Sequence, residues 1–162
     1  MATVNNNLSE YDINSVPNAS NMVFGIVVSE WNENITKGLL NGAYTTLLKH
    51  GALEENITVK FIPGTFELPL AAQTMFEKTK VDAVICLGSV IQGETKHFDF
   101  VCEGAALGIK DVALKYNKPT IFGVLTDNNE QQAIDRSGGK HGNKGDEAAV
   151  TAIKMVDFQQ KL

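Results

Sequence analysis

Two spacings of apolar residues alternate along this chain. "MVFGIVV" (22–28) is a continuous apolar run, which predicts a short strand buried on both faces. Over 34–50, Ile35, Leu39, Ala43 and Leu47 recur at every fourth position, which predicts a helix; Asn32 or Asn34 can cap its start and Gly51 can end it. "ITVKFI" (57–62) alternates as a strand does. Residues 66–79 read as a helix with Pro69 in its first turn, where a missing N–H costs nothing. "VDAVICLGSVI" (81–91) is the most apolar strand, a long helix follows over about 97–116, and "PTIFGVLT" (119–126) is a fourth strand. Helices over 128–136 and 145–160 flank the Gly-rich "SGGKHGNKG". Strands alternating with helices imply βαβ crossovers. The expected fold class is α/β, a three-layer α/β/α sandwich around a four-stranded parallel sheet. Helices on both faces explain why the strands lack a polar side.

Residues 1–20 are rich in Asn and Ser without periodicity and read as a flexible N-terminal arm, leaving residues 21–162 as a single domain. A chain of 162 residues suffices to bury about two-thirds of its unfolded surface without staples. The net charge of −5 argues against nucleic acid as a partner, since phosphate backbones demand a basic face. No apolar run nears the roughly 20 residues that span a bilayer, and no secretory leader pattern opens the chain. Cys86 and Cys102 show no metal or disulfide spacing and read as free thiols of a reducing cytoplasm.

In such a fold the ligand site lies beyond the carboxyl ends of the strands, where strand order reverses. Those ends deliver "SEWNEN", "PGTFELP", "GSVIQGETKHF" and "TDNNE". Trp31 and Phe66 can cover the core or stack on a flat heterocycle. Glu67 can complement a helix dipole or accept hydrogen bonds from polyol hydroxyls. "GET" (93–95), ahead of a helix, is a strand-to-helix turn that also offers N–H groups to an anion. His97 can be a cap, or the general acid/base of a site lying between an anion pocket and an aromatic slot. Arg136, Lys140, His141 and Lys144 gather on "DRSGGKHGNKG" (135–145), either a solvated basic loop or a phosphate-facing cluster.

Taken together, "PGTFELP", "GSVIQGETKHFDFV", "FGVLT" and "RSGGKHGNKGDEAA" resemble the 6,7-dimethyl-8-ribityllumazine synthase family of riboflavin biosynthesis, from about residue 21 to 158. The resemblance implies a flavodoxin-like fold and a transferase. Its reaction condenses 5-amino-6-(D-ribitylamino)uracil with 3,4-dihydroxy-2-butanone 4-phosphate to the lumazine, phosphate and water, with no organic cofactor and no metal. It implies that Trp31 and Phe66 flank the pyrimidine and that Asn32 and Glu67 face the ribityl chain. Thr65, Val90 and Ile91 belong to the slot. Gly93, Glu94 and Thr95 hold the phosphate with Arg136; Glu94 takes part through its backbone N–H alone. His97 moves protons, Lys144 stands near the site, and Phe122 comes from the adjacent subunit. Gln92, Glu94 and Thr65 depart from residues common in the family. The resemblance further implies a cytoplasmic homo-oligomer, a pentamer with active sites shared between neighbours. The short "GGKHGNKG" linker points to a sixty-subunit icosahedral shell, and association with riboflavin synthase is a further implied partnership. Two other functions fit the pattern: a non-catalytic flavin- or nucleotide-binding module, and a mainly structural shell protein. Formation of lumazine from the two substrates separates them.

Overall fold

The computed structural model describes residues 7–162. Its elements are β1 (Phe24–Ser29), α1 (Glu33–Lys49), β2 (Ile57–Ile62), α2 (Leu68–Lys78), β3 (Ala83–Ile91), α3 (His97–Tyr116), β4 (Thr120–Asp127), α4 (Glu130–Arg136), the short strands β5 (Ser137–Gly139) and β6 (Gly142–Asn143), and α5 (Lys144–Gln160). Strands β1 to β4 form one parallel sheet in the order β2-β1-β3-β4. This is the flavodoxin-like arrangement, and strand order reverses between β1 and β3.

Side chains on each strand alternate between two cores. Phe24, Ile26 and Val28 of β1, with Ile85 and Leu87 of β3, pack against Leu39 of α1 and Ile153 of α5. Val27, Val84, Cys86 and Val124 point the other way, onto Leu68 and Ala72 of α2 and Ile109 of α3. The period of two along the strands therefore produces three layers, α1/α5, sheet and α2/α3, as expected from the apolar runs. Small residues let the helices approach. A Cβ on Gly145 would fall 2.0 Å from the Leu39 carbonyl oxygen, so α5 starts against the backbone of α1. Asn143 completes that junction: its Oδ1 accepts the Gly145 N–H at 2.8 Å as an N-cap, and its Nδ2 donates to the Gly38 carbonyl at 2.8 Å.

Four local features differ from the sequence expectation. Asn32 occupies the N-cap position of α1 with φ 59°, a left-handed conformation, and its side chain caps nothing. A turn of 3-10 helix, Thr65–Glu67, precedes α2, and Pro69 sits in the first turn as expected. The Gly-rich linker is an antiparallel hairpin, β5 with β6, in which Gly138 and Gly142 take positive φ. Finally, residues 7–20, read as an arm, lie along the α1/α5 layer. Leu8 N–H donates to the His141 carbonyl at 2.8 Å, Asn143 N–H to Ser9 Oγ at 2.9 Å, and Ala19 N–H to the His50 carbonyl at 2.8 Å, while Val16 and Ala19 enter the core. Residues 1–6 of that arm lie outside the described residues.

Candidate active site

The carboxyl ends of β1 and β3 open into a cleft of about 930 Å³ at the point where strand order reverses. Trp31 follows β1, Thr65, Phe66 and Glu67 follow β2, and Val90, Ile91, Gly93, Thr95 and His97 follow the core of β3; with Asn32 all of them line this one cleft. β1 and β2 end at the same level, Ser29 opposite Ile62, and β3 runs past them to Ile91, so segments far apart in sequence meet there.

The cleft wall is largely apolar. Trp31 is 72% exposed and Phe66 58%, an unusual exposure for two aromatics that share one opening. The ring of Phe66 rests on α3 at Gly104, where a Cβ would fall 2.5 Å from Cε2. Glu67 folds its carboxylate over Gly64, where a Cβ would fall 2.8 Å from Oε2. Beneath them Thr65 and Ser89 are buried, and their hydroxyl oxygens have no hydrogen-bond partner. Buried hydroxyls are seldom left this way, yet neither oxygen is open to the cleft, and Thr65 Oγ1 lies 2.7 Å from where a Cβ of Gly88 would fall. Asn32 Nδ2 donates to the Ser89 carbonyl at 3.0 Å, which ties the loop after β1 to β3.

At the far end the chain turns from β3 into α3 through Gln92, Gly93, Glu94, Thr95 and Lys96. Nothing lies within 4 Å of the position a Cβ of Gly93 would occupy, so its face is open to the cleft. Gly93 is not among the residues with positive φ, so close approach and not a left-handed turn is what glycine permits there. Thr95 Oγ1 accepts the His97 N–H at 3.3 Å. His97 is exposed and begins α3, its imidazole lining the same cleft as Thr95 and Phe98.

Four of the sequence-derived residues do not line this cleft. Glu94 is exposed on the turn, outside the lining. Phe122 lies on β4 and packs partly buried against the α2/α3 core. Arg136 ends α4, where Nη1 donates to the Gln132 carbonyl at 3.0 Å and stands 3.9 Å from Asp127 Oδ1. Lys144 begins α5 with Nζ 2.8 Å from Glu147 Oε1. Lys140, read with them as a basic cluster, pairs with Asp135 at 3.0 Å. That contact and the Gln131 side chain hold the Asp135 carboxyl below its usual range, the Gln131 hydrogen bond first. The basic segment is thus a set of opposed charges and not an open cationic patch. Sequence reasoning missed Gly64, Ser89, Phe98, Phe100, Val101 and Glu130 of the lining. The alternation on β3 signals Ser89, whereas the helical turn that brings Phe100 to the cleft is set only by packing.

The two cysteines play no visible part. Both are free, and burial pushes the Cys86 thiol far up and the Cys102 thiol up. Among the described residues no group of three or more His, Cys, Asp or Glu side chains could hold a metal ion, and no helix is long and apolar enough to cross a membrane.

Fold and cleft define an α/β protein that carries its ligand site at the switch point of a parallel sheet. The family model for 6,7-dimethyl-8-ribityllumazine synthase matches residues 21–160. A 6,7-dimethyl-8-ribityllumazine synthase of Phocaeicola vulgatus is 57% identical over 162 residues, covering 100% of this chain and 96% of its own. That of Cytophaga hutchinsonii is 60% identical over 156 residues, 96% of this chain and 98% of the relative. That of Parabacteroides distasonis is 60% identical over 158 residues, 98% and 99% of the two chains. The chain belongs to the 6,7-dimethyl-8-ribityllumazine synthase family.

Proposed function

We propose that the protein catalyses the penultimate step of riboflavin biosynthesis. It condenses 5-amino-6-(D-ribitylamino)uracil with 3,4-dihydroxy-2-butanone 4-phosphate to 6,7-dimethyl-8-ribityllumazine, phosphate and water. Family membership supports the reaction. The observation that carries the assignment of the site is the convergence of Trp31, Phe66, Thr95 and His97 on one cleft.

In this mechanism the pyrimidine stacks against Phe66 and Trp31, with its polar edge over the Val90–Ile91 backbone beside Thr65. Asn32 and Glu67 face the ribityl hydroxyls. The phosphate of the second substrate lies at Gly93, Glu94 and Thr95, where Gly93 admits it and N–H groups and the Thr95 hydroxyl donate to it. Arg136, which lies outside the lining of the cleft in a single chain, is assigned the countercharge, with Lys144 as a further cation of the assembled site. The 5-amino group is itself the nucleophile, so no activated Ser or Cys is needed. It attacks the ketone carbonyl, and loss of water leaves an imine. Proton removal then expels phosphate, and the ribityl-bearing nitrogen closes the ring with loss of a second oxygen as water. Each step is a proton transfer plus orientation. His97, exposed at the cleft edge, takes and returns the protons. No step changes the redox level overall, so the chemistry calls for neither cofactor nor metal.

Two aromatics more than half exposed at one cleft support a neighbouring chain that covers them. In this reading Phe122 of a neighbouring subunit closes it in a cytoplasmic pentamer. Twelve pentamers form an icosahedral shell, the short β5–β6 linker suits that shell, and riboflavin synthase is a candidate associate. Residues 21–162 are the catalytic domain, on whose α1/α5 layer residues 7–20 pack. Mixing the two substrates with purified protein and following lumazine absorbance tests the reaction, and light scattering of the same sample tests the assembly. No lumazine formation rejects the function, and a fully active monomer rejects the shared site.

A further inference from the structure

One buried carboxylate near the anion end of the cleft has no task in this mechanism. Asp127 ends β4, and its side chain is 8% exposed. Its Oδ2 has no hydrogen-bond partner. Its backbone pairs in register with Ile91, and its carbonyl accepts the Gln92 N–H at 2.9 Å, so the side chain sits where the phosphate loop leaves the sheet. Its nearest cation is Arg136, with Nη1 3.9 Å from Oδ1. At that distance charges attract but no hydrogen bond forms. Nη1 is already held by the Gln132 carbonyl at 3.0 Å. Asp127 therefore contributes charge to Arg136 and not aim. Burying a carboxylate with so little compensation is unfavourable to the fold, and an Asn of the same shape would avoid it.

We propose that Asp127 sets how tightly Arg136 holds phosphate, weakening its grip so that inorganic phosphate leaves after elimination. This rests on the phosphate role assigned to Arg136 above. A guanidinium opposed by a carboxylate offers an incoming dianion a nearly neutral pair; the same guanidinium alone offers a full positive charge. Phosphate is both a substrate handle and a product here, so a grip strong enough to capture the first would retain the second. Asp127 is outside the lining of the cleft and acts through Arg136. A merely structural role, anchoring the end of α4, would change stability and leave phosphate affinity alone.

Calorimetric titration with inorganic phosphate decides between them, on the assembled wild-type protein, Asp127→Asn, Arg136→Gln and the double variant. Asp127→Ser serves as a second uncharged replacement, and thermal unfolding checks that each variant is folded. The expected result is roughly three- to tenfold tighter phosphate binding in Asp127→Asn, the size of one like charge removed at several ångströms in a half-exposed site. Phosphate should then inhibit turnover at correspondingly lower concentration, and the KM for the phosphorylated substrate should fall. The double variant should bind phosphate as Arg136→Gln does. Unchanged or weaker phosphate binding in both Asp127 variants overturns the inference. If Arg136→Gln alone weakens phosphate while Asp127→Asn does nothing, only this inference fails; if Arg136→Gln binds phosphate as the wild type does, the role of Arg136 fails with it.

Discussion

Asn32 bridges the gap between β1 and β3: its Nδ2 donates to the Ser89 carbonyl at 3.0 Å while its own backbone sits at φ 59°. Both properties belong to asparagine, which tolerates the left-handed region and carries an amide donor. The contact spans the point where strand order reverses, so it holds the two edges of the cleft at a set distance.

Asn32→Ala should lose the hydrogen bond and strain the turn. Each effect is worth about 1 kcal/mol, giving a loss of about 1–3 kcal/mol in stability. Asn32→Gly keeps the backbone conformation at ease and should lose less. Denaturant unfolding of both variants checks the difference; equal losses would show that φ at this position is immaterial.

His97→Ala should reduce kcat by about 10²- to 10⁴-fold, the usual worth of general acid/base catalysis. The side chain is exposed at the start of α3, so folding and product binding should be preserved. Single-turnover kinetics with both substrates gives the readout. Turnover close to wild type would remove His97 from the chemistry.

Gly104→Ala should damage the cleft without touching a ligand. The new methyl would fall 2.5 Å from Phe66 Cε2, so the ring must swing away from α3. The expected outcome is a higher KM for the pyrimidine and a smaller change for the phosphorylated substrate. Quenching of the single Trp on titration with product monitors the same slot, because Trp31 lies across it. A wild-type KM in Gly104→Ala would mean that the ring position is not used.

The N-terminal segment should loosen in mild acid. The hydroxyl of Tyr11 lies 3.0 Å from His50 Nε2. Burial and then the Lys49 charge hold His50 below its usual value of 6.5. The fold therefore favours neutral His50. Its contribution is intact above about 6.5 and is lost as pH falls through the lowered pKa. Hydrogen-exchange protection around Tyr11 and Ala19, taken relative to the intrinsic rate at each pH, should fall over that window, and His50→Gln should abolish the step. Protection that is flat with pH would uncouple the segment from His50.

Asp127 makes the opposite pH signature. Burial raises its carboxyl and Arg136 opposes the rise only in part. Its folded value exceeds its unfolded one, so its contribution is full at low pH and is lost as pH rises through the ordinary Asp range to the raised value. Asp127→Asn should be at least as stable as the wild type near neutrality, and thermal unfolding across pH measures it. A variant destabilised at pH 7 would make Asp127 an anchor of α4.

Strands, helices and layers follow from local pattern. Leu39 and Leu47 on one helix face, and Ile85 beside Cys86 on opposite strand faces, each need a partner surface, and three layers supply it. The segments that meet at the cleft were legible for the same reason, because parallel strands place their carboxyl ends together. Tertiary structure alone decided what those residues do there. Asn32 reads as a helix cap from its position, yet its amide reaches Ser89, 57 residues away. "GGKHGNKG" reads as a cationic loop, yet Asp135 and Glu147 answer Lys140 and Lys144. Asp127 reads as one more polar residue in "TDNNE", and only its burial beside Arg136 sets it apart. Periodicity records which face a residue turns toward the core. Hydrogen bonds and charge pairs between distant segments depend on ångström-scale distances, which exist only once the layers have packed.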